Sequence, residues 1–297
     1  MKYVKPPVPI HEQIEVLKNR GLLFKNEAKA AHYLSNISYY RLRAYTYPFQ
    51  DNKDENHPFI TKVSFEEIID LYVFDRQLRL LIFDGIEKIE IALRTQIIYN
   101  FSLVHGSFWH LKPNLYKDAV RFANHIDSLQ KEIDRSNETF ISHYKDKYTH
   151  PTEPPCWMSL EVSSMGLLSK LFQNLHTSNE KKLVTKHFGL TNPAILENWM
   201  HCFCNLRNIC AHHGRIWNRR LVPIKLPYNT LYPFLENNKI YTNKLYAILC
   251  CIEYVLKIIS PGSTFKYRLK KVMQNCPMKQ EKEMGFPEHW EEDSLWK

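Results

Sequence analysis

The chain has 297 residues, of which 44% are hydrophobic and only 8 are glycine, and its formal net charge is +9. This is enough for a buried core in one large domain, or in one domain with a smaller companion, while the scarcity of glycine argues against a many-stranded β protein, because tight hairpins need residues that accept positive φ. The positive charge favours a polyanionic partner such as nucleic acid.

The cysteines and the charged residues point to a cytoplasmic protein. The chain has 7 cysteines, an odd number, and no secretory leader opens the sequence, so we expect reduced, buried thiols. Charged residues between Asp75 and Asp84 interrupt the most apolar stretch. We therefore expect no membrane-spanning segment and no membrane partner.

Two short helices are expected near the N-terminus. The first covers residues 11–20, with Ile14 and Leu17 facing inward and Gly21 at its C-terminal end, and the second covers residues 26–34. Aromatic residues and arginines then alternate over residues 39–45.

This alternation has two interpretations. Aromatic rings and guanidinium groups can stack on and clamp single-stranded RNA, and on this reading we assign Tyr40, Arg41 and Arg43 to RNA binding. The alternative is that the rings belong to the core while the arginines extend along its surface to solvent.

A long helix is predicted to begin at Ser64, because Ser64 and Glu67 have the spacing of a capping box. Gly85 is a candidate site for a bend in it. Its apolar residues recur every three or four positions, so this helix can form most of a bundle core. They are Leu71, Leu78, Leu81, Ile82, Ile86, Ile89, Leu93 and Ile97.

A proline-rich connection is expected over residues 145–155, followed by a helix over residues 157–175. The next helix begins at Asn192 and Pro193, with the amide as N-cap and the proline in the first turn, where its missing N–H has no partner to lose. Gly214 indicates that this helix ends near His212.

The helix that begins at Asn192 carries a set of residues suited to RNA cleavage. A histidine both takes and gives protons near neutral pH, and an arginine holds a phosphate through forked donors that stay charged. His212 would serve as general acid or base, Arg207 would stabilise the phosphorane, and Asn208 would orient the imidazole or hold a phosphate oxygen. This chemistry needs no metal and no cofactor.

Helix geometry restricts how these side chains meet. At 100° per residue, Arg207 and His212 point about 140° apart, so one regular helix does not aim both at one phosphate. Either the helix ends at the histidine and the arginine reaches round, or two copies of the chain face each other across a two-fold axis. We favour the homodimer.

The motif lies in a basic stretch that contains no acid between Glu197 and Glu236. Cations without interspersed acids leave a positive potential that recruits nucleic acid, although a solvated basic face has the same composition. The residues after the motif that we assign to RNA binding are His213, Arg215, Arg219 and Arg220. A second basic run, residues 266–271, precedes an acidic segment near the C-terminus.

Two other roles for the motif residues follow from the sequence. His212 could be a structural histidine hydrogen-bonded at the helix end, with Arg207 in an internal salt bridge. A zinc site is disfavoured because Cys202 and Cys204 point about 200° apart on a helix and no second cysteine pair is present. The residues considered for zinc are His201, Cys202, Cys204, Cys210, His212 and His213.

Three blocks of the sequence resemble one family. Arg207, Asn208 and His212 look like the R-x4-6-H motif of the HEPN ribonuclease superfamily, and residues 207–219 are similar to the Abi-like (AbiD/AbiF) abortive-infection family. Residues 32–42 and 155–169 also resemble this family, so the resemblance covers roughly residues 10–220.

The resemblance implies an all-α, HEPN-like helical bundle with a small N-terminal helical extension. We place the extension at residues 1–60, the bundle with the motif at residues 61–262 and a basic, then acidic, C-terminal tail at residues 263–297. The resemblance also implies a dimer that contains no cofactor.

The function implied is that of a metal-independent endoribonuclease in bacterial defence against phage. It would cleave RNA with Arg207, Asn208 and His212 as catalytic residues and leave 2′,3′-cyclic phosphate ends. The alternative is a catalytically inactive RNA-binding protein that forms a complex with a small non-coding RNA.

Overall fold

The computed structural model describes residues 2, 6–227 and 240–297. These residues form α-helices and short 3₁₀ turns, and the β-structure among them is limited to isolated bridges. The predicted all-α fold is confirmed. In the described part of the chain, none of the helices combines the length and the apolar character needed to cross a membrane.

The described helices are, in chain order, α1 (Ile10–Asn19), α2 (Glu27–Ile37), α3 (Tyr39–Thr46), α4 (Phe65–His105), α5 (Ala119–Arg135), α6 (Thr139–Lys147), α7 (Cys156–Ser159), α8 (Met165–Asn174), α9 (Asn179–His187), α10 (Pro193–Ala211), α11 (Leu245–Ile259) and α12 (Phe265–Gln274). The longest of them, α4, forms the centre of the bundle and packs against α3, α9, α10, α11 and α12. Helix α8 packs against both α5 and α10.

Helix α4 begins as predicted. The Ser64 hydroxyl accepts a hydrogen bond from the Glu67 N–H, and the Glu67 carboxylate accepts one from the Ser64 N–H at 2.8 Å. The eight apolar residues predicted for its core face are all buried. Gly85 lies inside a continuous helix, where an added Cβ would approach the Phe265 ring to 3.0 Å and Ile252 to 3.3 Å. This glycine therefore allows α11 and α12 to pack closely on α4.

Both predicted N-terminal helices are present. In α1, Ile14 and Leu17 are buried as expected, and Gly21 follows the helix with a φ of 97°. Asn26 is the N-cap of α2, and its side chain accepts a hydrogen bond from the Lys29 N–H at 2.8 Å. This helix extends three residues beyond its predicted end, to Ile37.

The single helix predicted for residues 157–175 is wrong, because α7 and α8 are separated by residues 160–164. The carbonyls of Leu160 and Ser163 accept hydrogen bonds from the Arg94 guanidinium of α4. Ser164 then caps α8, and the Glu132 carboxylate accepts from both its N–H, at 2.7 Å, and its hydroxyl, at 2.9 Å. Contacts from other helices thus stabilise the break.

Helices α5 and α6 are absent from the sequence-based prediction. Helix α5 is amphipathic, and its buried residues His125, Leu129 and Ile133 face the bundle. The prediction that residues 145–155 form a connection is largely confirmed, since α6 ends at Lys147 and α7 begins at Cys156.

Residues 263–297 are ordered against the bundle. Leu295 and Trp296 are fully buried, and the Trp296 indole N–H donates to the Tyr246 hydroxyl at 3.2 Å. The basic run contributes to this packing, since Arg268 pairs with Asp84 at 2.6 Å and Lys270 donates to the Glu291 carbonyl at 3.3 Å.

The division of the chain at residues 60 and 262 stays a prediction. Residues 1 and 3–5 of the predicted N-terminal segment, and residues 228–239 of the predicted bundle segment, lie outside the described residues.

One buried carboxylate, Asp75 of α4, joins three parts of the fold. It accepts hydrogen bonds from the Tyr45 hydroxyl of α3 at 2.7 Å, from the Arg79 guanidinium, and from the backbone N–H groups of Ile216 and Trp217, the latter at 2.7 Å. Burial raises the pKa of the Asp75 carboxyl, and Arg79 together with these donors opposes the rise. Asp75 thereby fixes the segment that follows α10 against α4.

Replacement of Asp75 by alanine is expected to lower the free energy of unfolding by about 3 to 5 kcal/mol, because it leaves a buried guanidinium, a hydroxyl and two N–H groups without their acceptor. Asp75→Asn, which keeps one oxygen, should lose less. Urea unfolding followed by circular dichroism measures the change, with the exposed Asp70→Ala on the same helix as control. Equal stability of Asp75→Ala and Asp70→Ala would contradict the assigned role.

Candidate functional site

Helix α10 places the motif residues at its C-terminal end. It begins as predicted, with the Asn192 side chain accepting a hydrogen bond from the Ala194 N–H at 2.9 Å and Pro193 in the first turn. It ends at Ala211, so that Arg207 and Asn208 lie in its last turns and His212 is its C-cap.

The helix end is closed by a Schellman motif. The Gly214 N–H donates to the Ile209 carbonyl at 2.8 Å, and the His213 N–H donates to the Cys210 carbonyl at 3.1 Å. His213, with a φ of 57°, rather than Gly214, adopts the left-handed conformation. Gly214 is still required for close packing, since a Cβ there would lie 3.0 Å from Ile209 Cγ2 and 3.2 Å from its carbonyl oxygen.

The Arg207 side chain extends along α10 toward α4. Its guanidinium stacks over the Phe83 ring at 5.5 Å, and its Nε lies 3.8 Å from a Glu90 carboxylate oxygen. Its Nη1 donates to the Asn208 side-chain oxygen at 3.4 Å. The Arg207 side chain keeps 37% of its surface exposed, so a phosphate could reach the guanidinium from solvent.

Glu90, which pairs with Arg207, also forms an ion pair with Arg94 of the same helix. Arg94 Nη2 lies 3.1 Å from the other Glu90 oxygen, and Arg94 Nη1 donates to the Ser163 carbonyl at 2.8 Å and to its hydroxyl at 3.1 Å. The carboxylate therefore has a second cationic partner that is independent of Arg207.

His212 is exposed at the helix end, and its N–H donates to the Asn208 carbonyl at 3.0 Å. Asn208 is also exposed, and its amide donates to Cys204 Sγ at 3.8 Å. Among the described residues, no hydrogen bond or ion pair joins Arg207 to His212 or engages the His212 imidazole. Arg207 does form the internal ion pair expected of a structural role, but within the described ranges the histidine has no side-chain partner of the kind that such a role requires.

A cleft of about 630 Å³ opens beside this helix end, between α2, α3, α4 and the residues that follow α10. Leu80 and Phe83 form an apolar wall, and none of the lining residues carries a carboxylate. The lining residues able to carry positive charge are Arg41, Arg76, Arg79 and His213. The cleft can therefore hold an anion that also has an apolar part.

The structure separates the predicted RNA-binding residues of α3. Arg41 Nη1 donates to the His213 carbonyl at 2.9 Å, which brings this arginine to the cleft. Tyr40, which is 85% exposed, and Arg43 instead line a groove shared with Arg20 of the α1 end.

The predicted arginines after the motif also differ in their surroundings. The Arg215 guanidinium points inward, donates to the Ala44 and Asn218 carbonyls and lies 5.6 Å from the Trp217 ring, and burial lowers its pKa. Arg219 and Arg220 are exposed, and Arg219 donates to the Arg215 carbonyl at 3.3 Å. Arg215 thus positions this segment, while Arg219 and Arg220 face solvent.

The cysteines of α10 are buried or partly buried thiols. Burial raises the pKa of Cys202 and of Cys210 to about 12, and burial together with the Glu90 charge raises that of Cys204. In the part of the chain that the structure describes, no three His, Cys, Asp or Glu side chains are grouped so that they could hold a metal ion.

The sequence-based prediction missed three residues of this site, namely Phe83, Glu90 and Asp75. A usable signal exists for two of them, since Glu90 with Arg94 and Asp75 with Arg79 have the four-residue spacing of a helical ion pair. Phe83 gives no comparable local signal, because its partner Arg207 belongs to α10, and the spacing of Asp75 and Arg79 does not reveal the contact of Asp75 with the segment after α10.

Comparison with known protein families shows to which family the chain belongs. The sequence model of the family described as Abi-like protein matches residues 32–218. The chain belongs to the Abi-like protein family. The match covers the blocks at residues 32–42 and 155–169 completely and the third block up to residue 218, including Arg207, Asn208 and His212. No curated protein and no solved structure matches the chain.

Substitution of Gly214 by alanine is expected to lower the free energy of unfolding by about 1 to 3 kcal/mol, because the added methyl group overpacks against Ile209 at the end of α10. Gly262→Ala is the matched control, since an added Cβ there has no neighbour within 4 Å. Thermal unfolding of both variants tests the difference. A Gly214→Ala protein as stable as the control would mean that the turn after His212 adapts freely.

Proposed function

We propose that this Abi-like protein is a metal-independent endoribonuclease of an abortive-infection system, which cleaves RNA with Arg207 and His212 and leaves 2′,3′-cyclic phosphate ends. In this proposal His212 transfers the proton of the ribose 2′-hydroxyl or of the leaving 5′-oxygen. Arg207 stabilises the doubly charged phosphorane, and Asn208 supports the pair.

The observation that carries the proposal is the exposure of His212 and Asn208 beside a cleft lined by cations. A general acid or base has to reach the substrate, and His212 is exposed at a helix end. The neighbouring cleft offers Arg41 and Arg76 to the phosphates and the apolar Leu80 and Phe83 to a base or ribose, while Arg79 of its lining is held by the Asp75 carboxylate. Such a combination favours a single-stranded RNA substrate.

A composite site between two copies of the chain accounts for the separation of the two motif side chains. Within one chain Arg207 is directed to Glu90 and Phe83 of α4, whereas His212 lies at the helix end without a side-chain partner among the described residues. In a symmetric dimer, Arg207 of one subunit would stabilise the phosphate at which His212 of the other subunit transfers a proton.

A second candidate function is that of a catalytically inactive RNA-binding protein, which forms a complex with a small non-coding RNA. The observation that favours it is the ion pair of Arg207 with Glu90, because a guanidinium held by a carboxylate is less available to a phosphorane. The cationic cleft would then serve binding alone.

Incubation of the protein with single-stranded RNA in EDTA should give cleavage products that end in a 2′,3′-cyclic phosphate. Loss of acid–base catalysis predicts that His212→Ala lowers the cleavage rate by about 10²- to 10⁴-fold. Arg207→Ala should lower the rate while RNA binding persists. Gel analysis gives the rates, and mass spectrometry distinguishes cyclic from linear phosphate.

His201→Ala is the control for this experiment, because His201 is exposed on the same helix but lies away from its C-terminal end. It should cleave like the parent. If the parent cuts nothing, and all three variants bind RNA as tightly as it does, the binding function replaces the proposed nuclease.

A mixture of His212→Ala and Arg207→Ala subunits should regain cleavage activity. If each site combines Arg207 of one subunit with His212 of the other, a mixed dimer has one intact site and one site that lacks both residues. Random exchange makes about half of the dimers mixed, so we expect about a quarter of the parental activity. Activity is compared before and after mixing, and analytical ultracentrifugation gives the oligomeric state. A mixture no more active than its components would exclude a site shared in this way.

A further inference from the structure

A second cationic groove lies between α5 and α8, and none of its lining residues belongs to the motif. It has a volume of about 550 Å³. From α5 it is lined by Arg121, His125 and Ser128, among others, and from α8 by Gly166 and Lys170, among others.

The groove carries an excess of positive charge. Arg121 and Lys170 are both exposed along it, against one carboxylate in the lining, that of Glu132, which faces the Ser164 N–H and hydroxyl as their acceptor. The other nearby acid is Asp118, which lies 3.4 Å from Arg121 Nε with both side chains largely exposed. Such an exposed pair contributes little, and the guanidinium retains donors for an anion.

His125 gives an independent indication of a ligand. Only 8% of its surface is exposed, it lines the groove, and its Nδ1 has no hydrogen-bond partner in the described structure. A buried polar nitrogen without a partner is uncommon. Burial, Lys170 and Arg121 lower the pKa of His125. The neutral imidazole keeps one N–H that can donate to an anionic oxygen.

The groove includes the N-terminal turn of α8, and this end meets the motif. Ser164 caps the helix, whose dipole adds positive potential here. A Cβ on Gly166 would lie 3.6 Å from Cys204 Sγ, and the Asn208 amide donates to the same sulfur at 3.8 Å. The groove and Asn208 are thus separated by the width of a single cysteine side chain.

We infer that this groove binds a backbone phosphate of the RNA strand whose cleavage is proposed at Arg207 and His212, with Lys170, Arg121 and His125 as its donors. The inference rests on the proposed function and extends it by giving the RNA strand a path over the protein surface, from Asn208 across Gly166 toward α5.

The chemistry of the lining favours a phosphate over a base. None of the groove residues is Phe, Tyr or Trp, so a nucleobase finds no ring to stack on. Cations, hydroxyls and an amide are the groups that bind phosphate oxygens in protein–nucleic acid complexes. Free phosphate or a mononucleotide presents the same chemistry, but neither would account for the position of the groove next to Asn208 of the motif.

The test is RNA binding by the cleavage-deficient His212→Ala protein in EDTA, with a dinucleotide and with a single strand of about 12 nucleotides. Adding Lys170→Ala together with Arg121→Ala should weaken binding of the longer RNA about tenfold and leave the dinucleotide unaffected. A plot of the logarithm of the RNA association constant against the logarithm of salt concentration has a negative slope. Its magnitude should fall by about 0.7 for each phosphate contact removed. Lys131→Ala, an exposed lysine of α5 outside the groove, is the matched control.

Other outcomes separate the two proposals. If the double variant binds the longer RNA like the Lys131→Ala control, the groove assignment is overturned, and cleavage by the parent still supports the proposed function. If neither RNA binds the parent, both proposals fail. If inorganic phosphate or adenosine monophosphate binds through Lys170, and RNA does not displace it, the groove takes a small anion and no part of the strand.

Discussion

The buried carboxylate of Asp75 is the contact on which the geometry of the whole site depends. A buried acid is costly unless it is neutralised and fully hydrogen-bonded, and here Arg79, Tyr45 and two backbone N–H groups satisfy it. Those donors come from α3, from α4 and from the segment after α10. The same three parts, together with α2 and the end of α10, bound the cleft beside His213, so this acceptor fixes most of the cleft walls relative to one another.

The helical spacing of Arg207 and His212 is a second constraint, and the bundle accommodates it by giving the two side chains different surroundings. Arg207 packs on α4, where Phe83 and Glu90 fix its direction, while the Schellman turn leaves His212 exposed. Neither side chain can swing to the other without breaking a described contact or unwinding the turn. Within one chain, the two halves of the motif therefore lie in different surroundings.

Local patterns in the sequence were sufficient for α4 and α10, since capping residues and apolar spacing act within a few residues. They failed where distant residues decide the outcome. The break before α8 is stabilised by Arg94, 66 residues before Leu160, whose carbonyl it binds. The motif identified Arg207, but not Glu90 or Phe83, which contact it. These contacts depend on how α4 packs against α10, and the residue spacing within either helix does not specify that packing.

The ion pair of Arg207 with Glu90 does not remove the arginine from chemistry. The pair is long, at 3.8 Å, and the arginine is 37% exposed, so its contribution is at most about 1 kcal/mol. A phosphate that approaches can form two charge-assisted hydrogen bonds with the guanidinium, which are stronger. Glu90 would not be left as an unpaired buried charge when Arg207 turns away, because Arg94 stays at 3.1 Å. The bundle thus orients the Arg207 guanidinium while leaving it able to exchange Glu90 for another anion at small cost.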